Sequence, residues 1–172
     1  AAGLRKGDEV LVSMHTMIAT ASAIHFAGAK PVLLDIREED YLIDEKKIKE
    51  KITSKTKAII ITQLNGRVAN MSKIIEISKK YKLKIFEDSA QGLGAFYKNK
   101  HAGTFGYGGC FSFYPAKILG CLGDGGAVIT NNRNIYKKLL ALRDHGRSGD
   151  DIKVWGFNAR LDNIEAATLD YL

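Results

Sequence analysis

Short, continuous apolar segments alternate with segments of helical periodicity in the first half of the chain, and this alternation restricts the possible folds more than any other feature. The apolar segments that predict strands are residues 9–12, 31–35, 57–62 and 83–87. The segments that predict helices are residues 18–26, 44–52 and 71–81, with Gly28 as a stop and Asp44 as an N-cap. Continuous apolar strands separated by helices are typical of a parallel sheet that is covered on both faces. The sequence therefore predicts a three-layer α/β/α fold.

A glycine-rich segment from Gly92 to Gly126 interrupts this alternation. Two further predicted strands, residues 110–114 and 126–130, flank a connection of eleven residues, 115–125. A parallel crossover needs about a dozen residues or more, usually with a helix. We therefore expect these two strands to be antiparallel neighbours, so that the sheet is mostly parallel with one antiparallel strand. Helices are predicted to follow at residues 133–143 and 161–172.

Composition excludes several classes of protein. The 172 residues suffice for one domain, and no apolar run approaches the roughly 18 residues of a membrane-spanning helix. The start has no charged region followed by an apolar one, so a cytoplasmic protein is expected. Cys110 and Cys121 lack CxxC spacing and the four histidines are scattered, which predicts two reduced, packed thiols and no metal site.

The net charge of +7 comes from 26 Lys and Arg against 19 Asp and Glu. Much of it lies in two lysine-rich runs, residues 46–57 and 79–84, whose lysines alternate with apolar residues at helical spacing. A solvated helix face explains both runs, and no nucleic-acid motif accompanies them, so no nucleic-acid partner is expected. A weaker interpretation is that the excess positive charge attracts anionic phosphate compounds.

Three polar residues concentrate chemistry in the middle of the chain. Asp88 follows a predicted strand at the carboxyl end, where open α/β sheets bind ligands, and Ser112 lies five residues before Lys117. Lys117 itself lies among glycines that would let backbone approach a ligand closely. Each also has a plainer interpretation: Asp88 can be the N-cap of the next element, Ser112 an ordinary strand residue and Lys117 a solvated lysine. Because neither GxGxxG nor GxxxxGK[ST] occurs, the residues alone predict only an anion or cofactor site near Asp88 and Lys117.

Several short motifs in a fixed order give the chain a family resemblance. They are Gly7-Asp-Glu-Val10, Thr16-Met-Ile-Ala-Thr20, Gly28-Ala-Lys-Pro-Val32, Glu87-Asp-Ser-Ala-Gln-Gly92, Ser112-Phe-Tyr-Pro-Ala-Lys117, Gly123-Asp-Gly-Gly-Ala127, Arg143-Asp-His-Gly146 and Gly156-Phe-Asn-Ala-Arg160. In this order, over essentially all 172 residues, the chain resembles the DegT/DnrJ/StrS sugar aminotransferases. These are pyridoxal 5′-phosphate (PLP) enzymes with the aspartate-aminotransferase-like fold.

The resemblance implies a role for five of these residues. Lys117 would be the lysine that binds PLP covalently and later carries a proton between substrate and cofactor. Asp88 would pair with the pyridine nitrogen, Gln91 would contact the phenolic oxygen, and Ser112 would bind the phosphate. Asn158 would reach the phosphate of a neighbouring subunit's cofactor, which implies a homodimer with a shared active site.

The chain departs from the family pattern at several places. Met17 stands where the family commonly has an aromatic ring that stacks on PLP; methionine can cover that face, or Met17 can be a core residue at the start of a helix. Thr62-Gln-Leu-Asn-Gly66 replaces a common Val-His-Leu-Tyr-Gly near the sugar pocket. His145 can be functional or can interact with a helix dipole. Residues 1–172 are expected to be part of the PLP-binding large domain, without its N-terminal segment and the C-terminal small domain.

The resemblance implies transamination of a nucleotide-linked keto-sugar by an amino acid, usually glutamate, for amino-sugar or surface polysaccharide biosynthesis. Some relatives instead carry out dehydration with a histidine in place of the lysine, and Lys117 argues against that reaction. A non-catalytic or regulatory PLP-binding module of the same fold also stays open, as does an inactive fragment. A basic nucleic-acid-binding domain would show binding that depends steeply on salt.

Overall fold

Ten strands and four helices make up the computed structural model, which describes residues 1–172. The strands are β1 (Glu9–Ser13), β2 (Lys30–Leu34), β3 (Thr56–Thr62), β4 (Lys84–Asp88), β5 (Phe96–Tyr97), β6 (Lys100–His101), β7 (Gly108–Ser112), β8 (Gly126–Ile129), β9 (Arg147–Ser148) and β10 (Asp151–Ile152). The helices are α1 (Ile18–Phe26), α2 (Met71–Tyr81), α3 (Arg133–Arg143) and α4 (Asn163–Tyr171). None of these helices has the length and apolarity that a bilayer crossing requires.

Six strands form one sheet in the order β2-β1-β3-β4-β7-β8. The first five strands in this order are parallel, and β8 runs antiparallel to β7, with Ser112 opposite Gly126. The prediction from the eleven-residue connection is therefore confirmed. Since β2 and β3 lie on opposite sides of β1, the chain reverses its direction of winding there, and this is the point where open α/β sheets bind ligands.

Helices cover both faces of the sheet, which confirms the predicted three-layer architecture. Successive residues of β1 point to opposite faces, and both sides are fully buried. Leu11 belongs to the core cluster that contains Ile74 and Ile77 of α2. Val12 belongs to the second cluster, which contains Ile24 of α1. The sheet is therefore a rigid middle layer from whose carboxyl edge side chains can project.

The predicted helix over residues 44–52 is wrong. Only one turn of 3₁₀ helix, Ile48–Lys51, forms there. Asp44 begins a tight turn instead, because its side chain accepts a hydrogen bond from the amide of Lys46 at 2.9 Å. Ile48 is buried, but the lysines around it offer no continuous apolar stripe to offset the cost of nucleating a helix.

Two small hairpins, β5–β6 and β9–β10, were not predicted from the sequence. Each strand contains only two residues, too few to produce a visible alternation of apolar and polar side chains. At the tip of the first hairpin Lys98 and Asn99 both have positive φ, 49° and 61°, as a tight type I′ turn requires.

Candidate active site

A cavity of about 820 Å³ opens at the carboxyl ends of β4 and β7. Five of the six predicted site residues are among those that line it: Met17, Asp88, Gln91, Ser112 and Lys117. These residues lie at the polar end of the cavity. From there the cavity continues between α1 and α3 as an apolar cleft over the sheet. Its size lies in the range of ligand pockets, and its few polar groups converge at one end.

Asp88 is the last residue of β4, and both of its carboxylate oxygens accept hydrogen bonds. Oδ1 accepts from the amide of Ala90 at 3.1 Å, and Oδ2 accepts from the hydroxyl of Thr20 at 2.5 Å. The first bond closes a turn after β4, where no helix begins, so the plainer interpretation of Asp88 as an N-cap is wrong. The second bond joins β4 to α1 and fixes the carboxylate at the cavity wall.

Gln91 lies in the turn after β4, and its side-chain amide has a defined direction. Its Oε1 accepts from the amide of Asn65 at 2.9 Å, while its backbone carbonyl accepts from the amide of Gly66 at 2.9 Å. The Nε2 group donates no hydrogen bond within the protein. Because the oxygen is already engaged, the group that remains for a ligand is a donor.

The segment Thr62–Gly66 therefore holds Gln91 in place through the backbone amides of Asn65 and Gly66. Asn65 and Gly66 both have positive φ, 54° and 71°, which turns their amides toward Gln91. Asparagine tolerates this conformation better than most residues other than glycine. Gln63 is fully buried and donates from Nε2 to Glu87 at 2.8 Å, so its side chain belongs to the buried interior of the protein.

Lys117 lies in a loop that is folded back on itself. Ser112, at the end of β7, accepts from the amide of Tyr114 at 3.2 Å, and the amide of Lys117 donates to the carbonyl of Tyr114 at 2.9 Å. A Cβ on Gly120 would lie 2.6 Å from the carbonyl oxygen of Pro115. This glycine therefore allows the loop to pack on its own backbone, a different use from the close ligand approach expected from the sequence.

The Lys117 loop is also attached to the last helix. Glu165 of α4 accepts a hydrogen bond at Oε2 from the amide of Gly123, at 3.1 Å. At the base of the loop the amide of Phe113 donates to the carbonyl of Gly125, and the amide of Cys121 donates to the carbonyl of Phe113, both at 2.8 Å. These bonds hold Lys117, which is half-buried, on the side of the cavity formed by β7.

Met17 and Asn158 lie in different surroundings. Met17 precedes α1 and its side chain is 71% exposed at the cavity, so its interpretation as a core residue is wrong. Asn158 is exposed and lies outside the cavity, with its Oδ1 accepting from Nε of Arg160 at 3.1 Å. His145 lies two residues beyond α3 with a positive φ of 56°.

A chain of three threonine hydroxyls, which was not predicted from the sequence, leads to Asp88. Thr62 donates to Thr16 at 3.0 Å, Thr16 and Thr20 are bonded at 2.8 Å, and Thr20 donates to Asp88. The signal in the sequence was weak: Thr16 and Thr20 are four residues apart, and Thr62 ends an apolar strand. Only the fold brings the third hydroxyl to the other two.

Glu87, directly before Asp88, is a buried carboxylate on the opposite side of β4. Its Oε1 accepts from the amide of Phe105 at 2.6 Å, and its Oε2 accepts from Gln63 and from the amide of Gly103, both at 2.8 Å. Only 2% of the residue is exposed. A carboxylate buried this deeply needs hydrogen-bond donors in place of water, and these three donors supply them.

Cys110 faces Asp88 across the β4–β7 pair and lines the cavity, whereas Cys121 is buried. The prediction of two packed thiols is therefore correct for Cys121 only. Although Cys110 is exposed at the cavity, the protein atoms around its sulfur partly remove it from water, and this desolvation together with the charge of Asp88 raises the pKa of its thiol from the ordinary 9.0 to about 11. It therefore remains protonated and unreactive near neutral pH.

Alkylation tests this assignment. At pH 8 iodoacetamide should modify Cys110 about 100-fold more slowly than the same cysteine in the unfolded chain, since the thiolate is the reacting form and the pKa is about two units higher. The Asp88→Asn variant should react faster because it removes the second cause of the shift. Peptide mapping separates Cys110 from Cys121, and equal rates in the folded and unfolded chains would contradict the prediction.

Comparison with known proteins gives consistent matches over nearly the whole chain. A family model described as the DegT/DnrJ/EryC1/StrS aminotransferase family matches residues 1–170. A pleiotropic regulatory protein of Geobacillus stearothermophilus is 43% identical over 170 residues, which cover 98% of this chain and 46% of the relative. A UDP-N-acetyl-3-dehydro-α-D-glucosamine 3-aminotransferase of Acidithiobacillus ferrooxidans is 43% identical over 164 residues, which cover 95% of this chain and 44% of the relative.

A solved structure agrees with these matches. NtdA of Bacillus subtilis, determined with its bound cofactor PMP, has a TM-score of 0.88 and 35% identity, over 98% of this chain and 39% of that one. The chain thus spans less than half the length of each of these proteins.

Proposed function

Since this chain belongs to the DegT/DnrJ/EryC1/StrS aminotransferase family, we propose that the protein uses PLP to transfer an amino group from an amino acid to the ketone of a nucleotide-linked sugar. Glutamate is the expected donor, and the product would be an amino sugar for surface polysaccharide or a related glycosylated product. The similarity to a UDP-sugar aminotransferase supports this class of substrate.

The observation that carries the proposal is the convergence of Asp88, Gln91, Ser112 and Lys117 on one cavity. These groups fit the chemistry of PLP. The carboxylate of Asp88 suits a protonated ring nitrogen, and the free amide donor of Gln91 suits the phenolic oxygen. Ser112 offers a hydroxyl to the phosphate, and Lys117 is the one lysine among the lining residues.

When bound, PLP supplies an electron sink that stabilises negative charge on the carbon that loses or gains a proton. The protein's residues would do the rest. Asp88 would hold the proton on the ring nitrogen, and Thr20 and Ala90 would fix the carboxylate in place. The amine of Lys117 would move the proton to and from the substrate carbon. The exposed thioether of Met17 would cover one face of the ring.

A homodimer and a cytoplasmic location belong to the same proposal. Asn158 lies outside the cavity of its own chain, beside the strongly exposed side chains of Trp155 and Phe157, which supports contact with a second copy. A protein that sediments as a monomer at assay concentrations would contradict this. The free thiols of Cys110 and Cys121 are consistent with a reducing compartment.

Covalent labelling tests the proposal. The full-length protein should bind PLP, and reduction with borohydride followed by peptide mapping should find the pyridoxyl group on Lys117. A label on another lysine, or none, would contradict the assignment. The class of substrate is then tested by offering UDP-, dTDP- and GDP-linked keto-sugars with glutamate and measuring formation of the amino sugar.

A regulatory PLP-binding module is the second candidate, because one relative is named a pleiotropic regulatory protein. Both candidates predict the label on Lys117. They differ with glutamate alone: an aminotransferase converts bound PLP to pyridoxamine phosphate and releases the keto acid, whereas a module without turnover leaves PLP unchanged.

A further inference from the structure

We propose that Thr20 is a positioning residue for Asp88, and that Thr62, Thr16 and Thr20 together form a one-way hydroxyl chain that fixes the carboxylate for the cofactor nitrogen. The inference rests on the proposed function, because it concerns the residue that would hold the ring nitrogen of PLP. It adds three hydroxyl groups that would act through Asp88, and of the three residues only Thr20 is among those that line the cavity.

The direction of the chain follows from counting protons. An ionised carboxylate can only accept, so Thr20 must give its single hydroxyl proton to Asp88. The bond between Thr16 and Thr20, in which either oxygen could donate, must then be donated by Thr16. Thr16 in turn accepts from Thr62. Every hydroxyl proton in the chain therefore points toward Asp88.

The three threonines come from separate elements of the fold. Thr16 follows β1, Thr20 lies in α1, and Thr62 ends β3. They thus span the point where the sheet reverses its winding and reach the adjacent strand β4. Thr20 and Thr62 are only 6% and 7% exposed, so water does not readily replace these bonds.

The consequence for binding follows from the geometry at Asp88. The Ala90 amide holds Oδ1 and the Thr20 hydroxyl holds Oδ2, so rotation of the carboxylate is blocked at both oxygens. Loss of the hydroxyl would free one oxygen and leave the donor of Thr16 without its acceptor. A hydrogen bond to a charged group contributes enough to change a dissociation constant by about 10- to 100-fold.

The test compares four variants in the full-length protein. Thr20→Val keeps the shape but removes the hydroxyl, and Thr20→Ser keeps the hydroxyl. Thr62→Val removes the distant end of the chain. Thr56→Val is the matched control, because Thr56 is also 6% exposed, accepts a hydrogen bond from the amide of Thr53 at 2.9 Å and begins the strand that Thr62 ends.

The readout is the dissociation constant for PLP, measured by absorbance titration, together with urea unfolding in its absence. We expect Thr20→Val to weaken PLP binding about 10- to 100-fold and Thr20→Ser to remain within about twofold of the parent protein. Thr62→Val should weaken binding about two- to fivefold, since Thr16 can still donate without it. Thr56→Val should lower stability and leave PLP affinity unchanged.

The failures of the two proposals are distinguishable. Unchanged affinity in Thr20→Val, or equal losses in Thr20→Ser and Thr20→Val, would overturn the positioning role while the parent protein still binds PLP at Lys117. An equal loss in Thr56→Val would also overturn it, by showing that general destabilisation is the cause. A parent protein that carries no label at Lys117 would instead overturn the proposed function itself.

Discussion

Replacing Lys117 by alanine is expected to slow the conversion of bound PLP to pyridoxamine phosphate by glutamate about 10³-fold, the scale of effect of a positioned acid–base group. The reason is that no other lysine lines the cavity, so no neighbouring side-chain amine of this type can take over the proton transfer. The rate is measured in a single turnover by the change in cofactor absorbance after PLP has been added in excess.

Two controls sharpen this experiment. Lys79→Ala removes an exposed lysine of α2 and should leave the rate unchanged. Added methylamine should restore part of the rate in Lys117→Ala, because a small amine can occupy the vacated space and carry the proton. A Lys117→Ala protein that reacts as fast as the parent would contradict the role of Lys117.

The largest expected loss of stability is that of Glu87→Gln. The buried carboxylate accepts from Gln63, Gly103 and Phe105, and an amide of the same shape must turn its NH₂ group toward at least one of these donors. Two buried donors then face each other, and leaving such groups unpaired should lower the free energy of unfolding by about 2 to 4 kcal/mol.

Urea denaturation measures this loss, with Glu50→Gln as the matched control. Glu50 is exposed and its side chain makes no hydrogen bond within the protein, so its change should alter the free energy of unfolding by less than about 0.5 kcal/mol. Equal stabilities for the two variants would show that Glu87 does not hold the 103–105 segment as the structure indicates.

Local signals explain which parts of the fold could be predicted. The helices at residues 18–26, 71–81 and 133–143 have the predicted bounds, and Asn70 and Asn132 cap two of them through their side chains. The shortness of the eleven-residue connection between β7 and β8 predicted their antiparallel pairing. The two-residue strands of the small hairpins carry no such signal, and their pairing depends on contacts formed after folding.

The residues of the site also differ in whether the sequence alone could predict them. Asp88 and Lys117 belong to motifs that occur in a recognisable order, so the sequence alone placed them in one site. Thr20 could not be found that way, because its partner Asp88 is 68 positions distant along the chain. Glu87 was hidden for a similar reason: its donors come from the segment after β3 and from an irregular segment, and neither has a periodicity that points to a carboxylate.

The bond between Gly123 and Glu165 also matters for protein engineering. The loop that presents Lys117 is closed by its own backbone, but its far side is held by a helix that begins some forty positions later. A graft of residues 112–126 into another scaffold would leave that amide without its acceptor, and the transplanted lysine would lose its orientation. A transferable unit therefore has to include α4 as well as the loop.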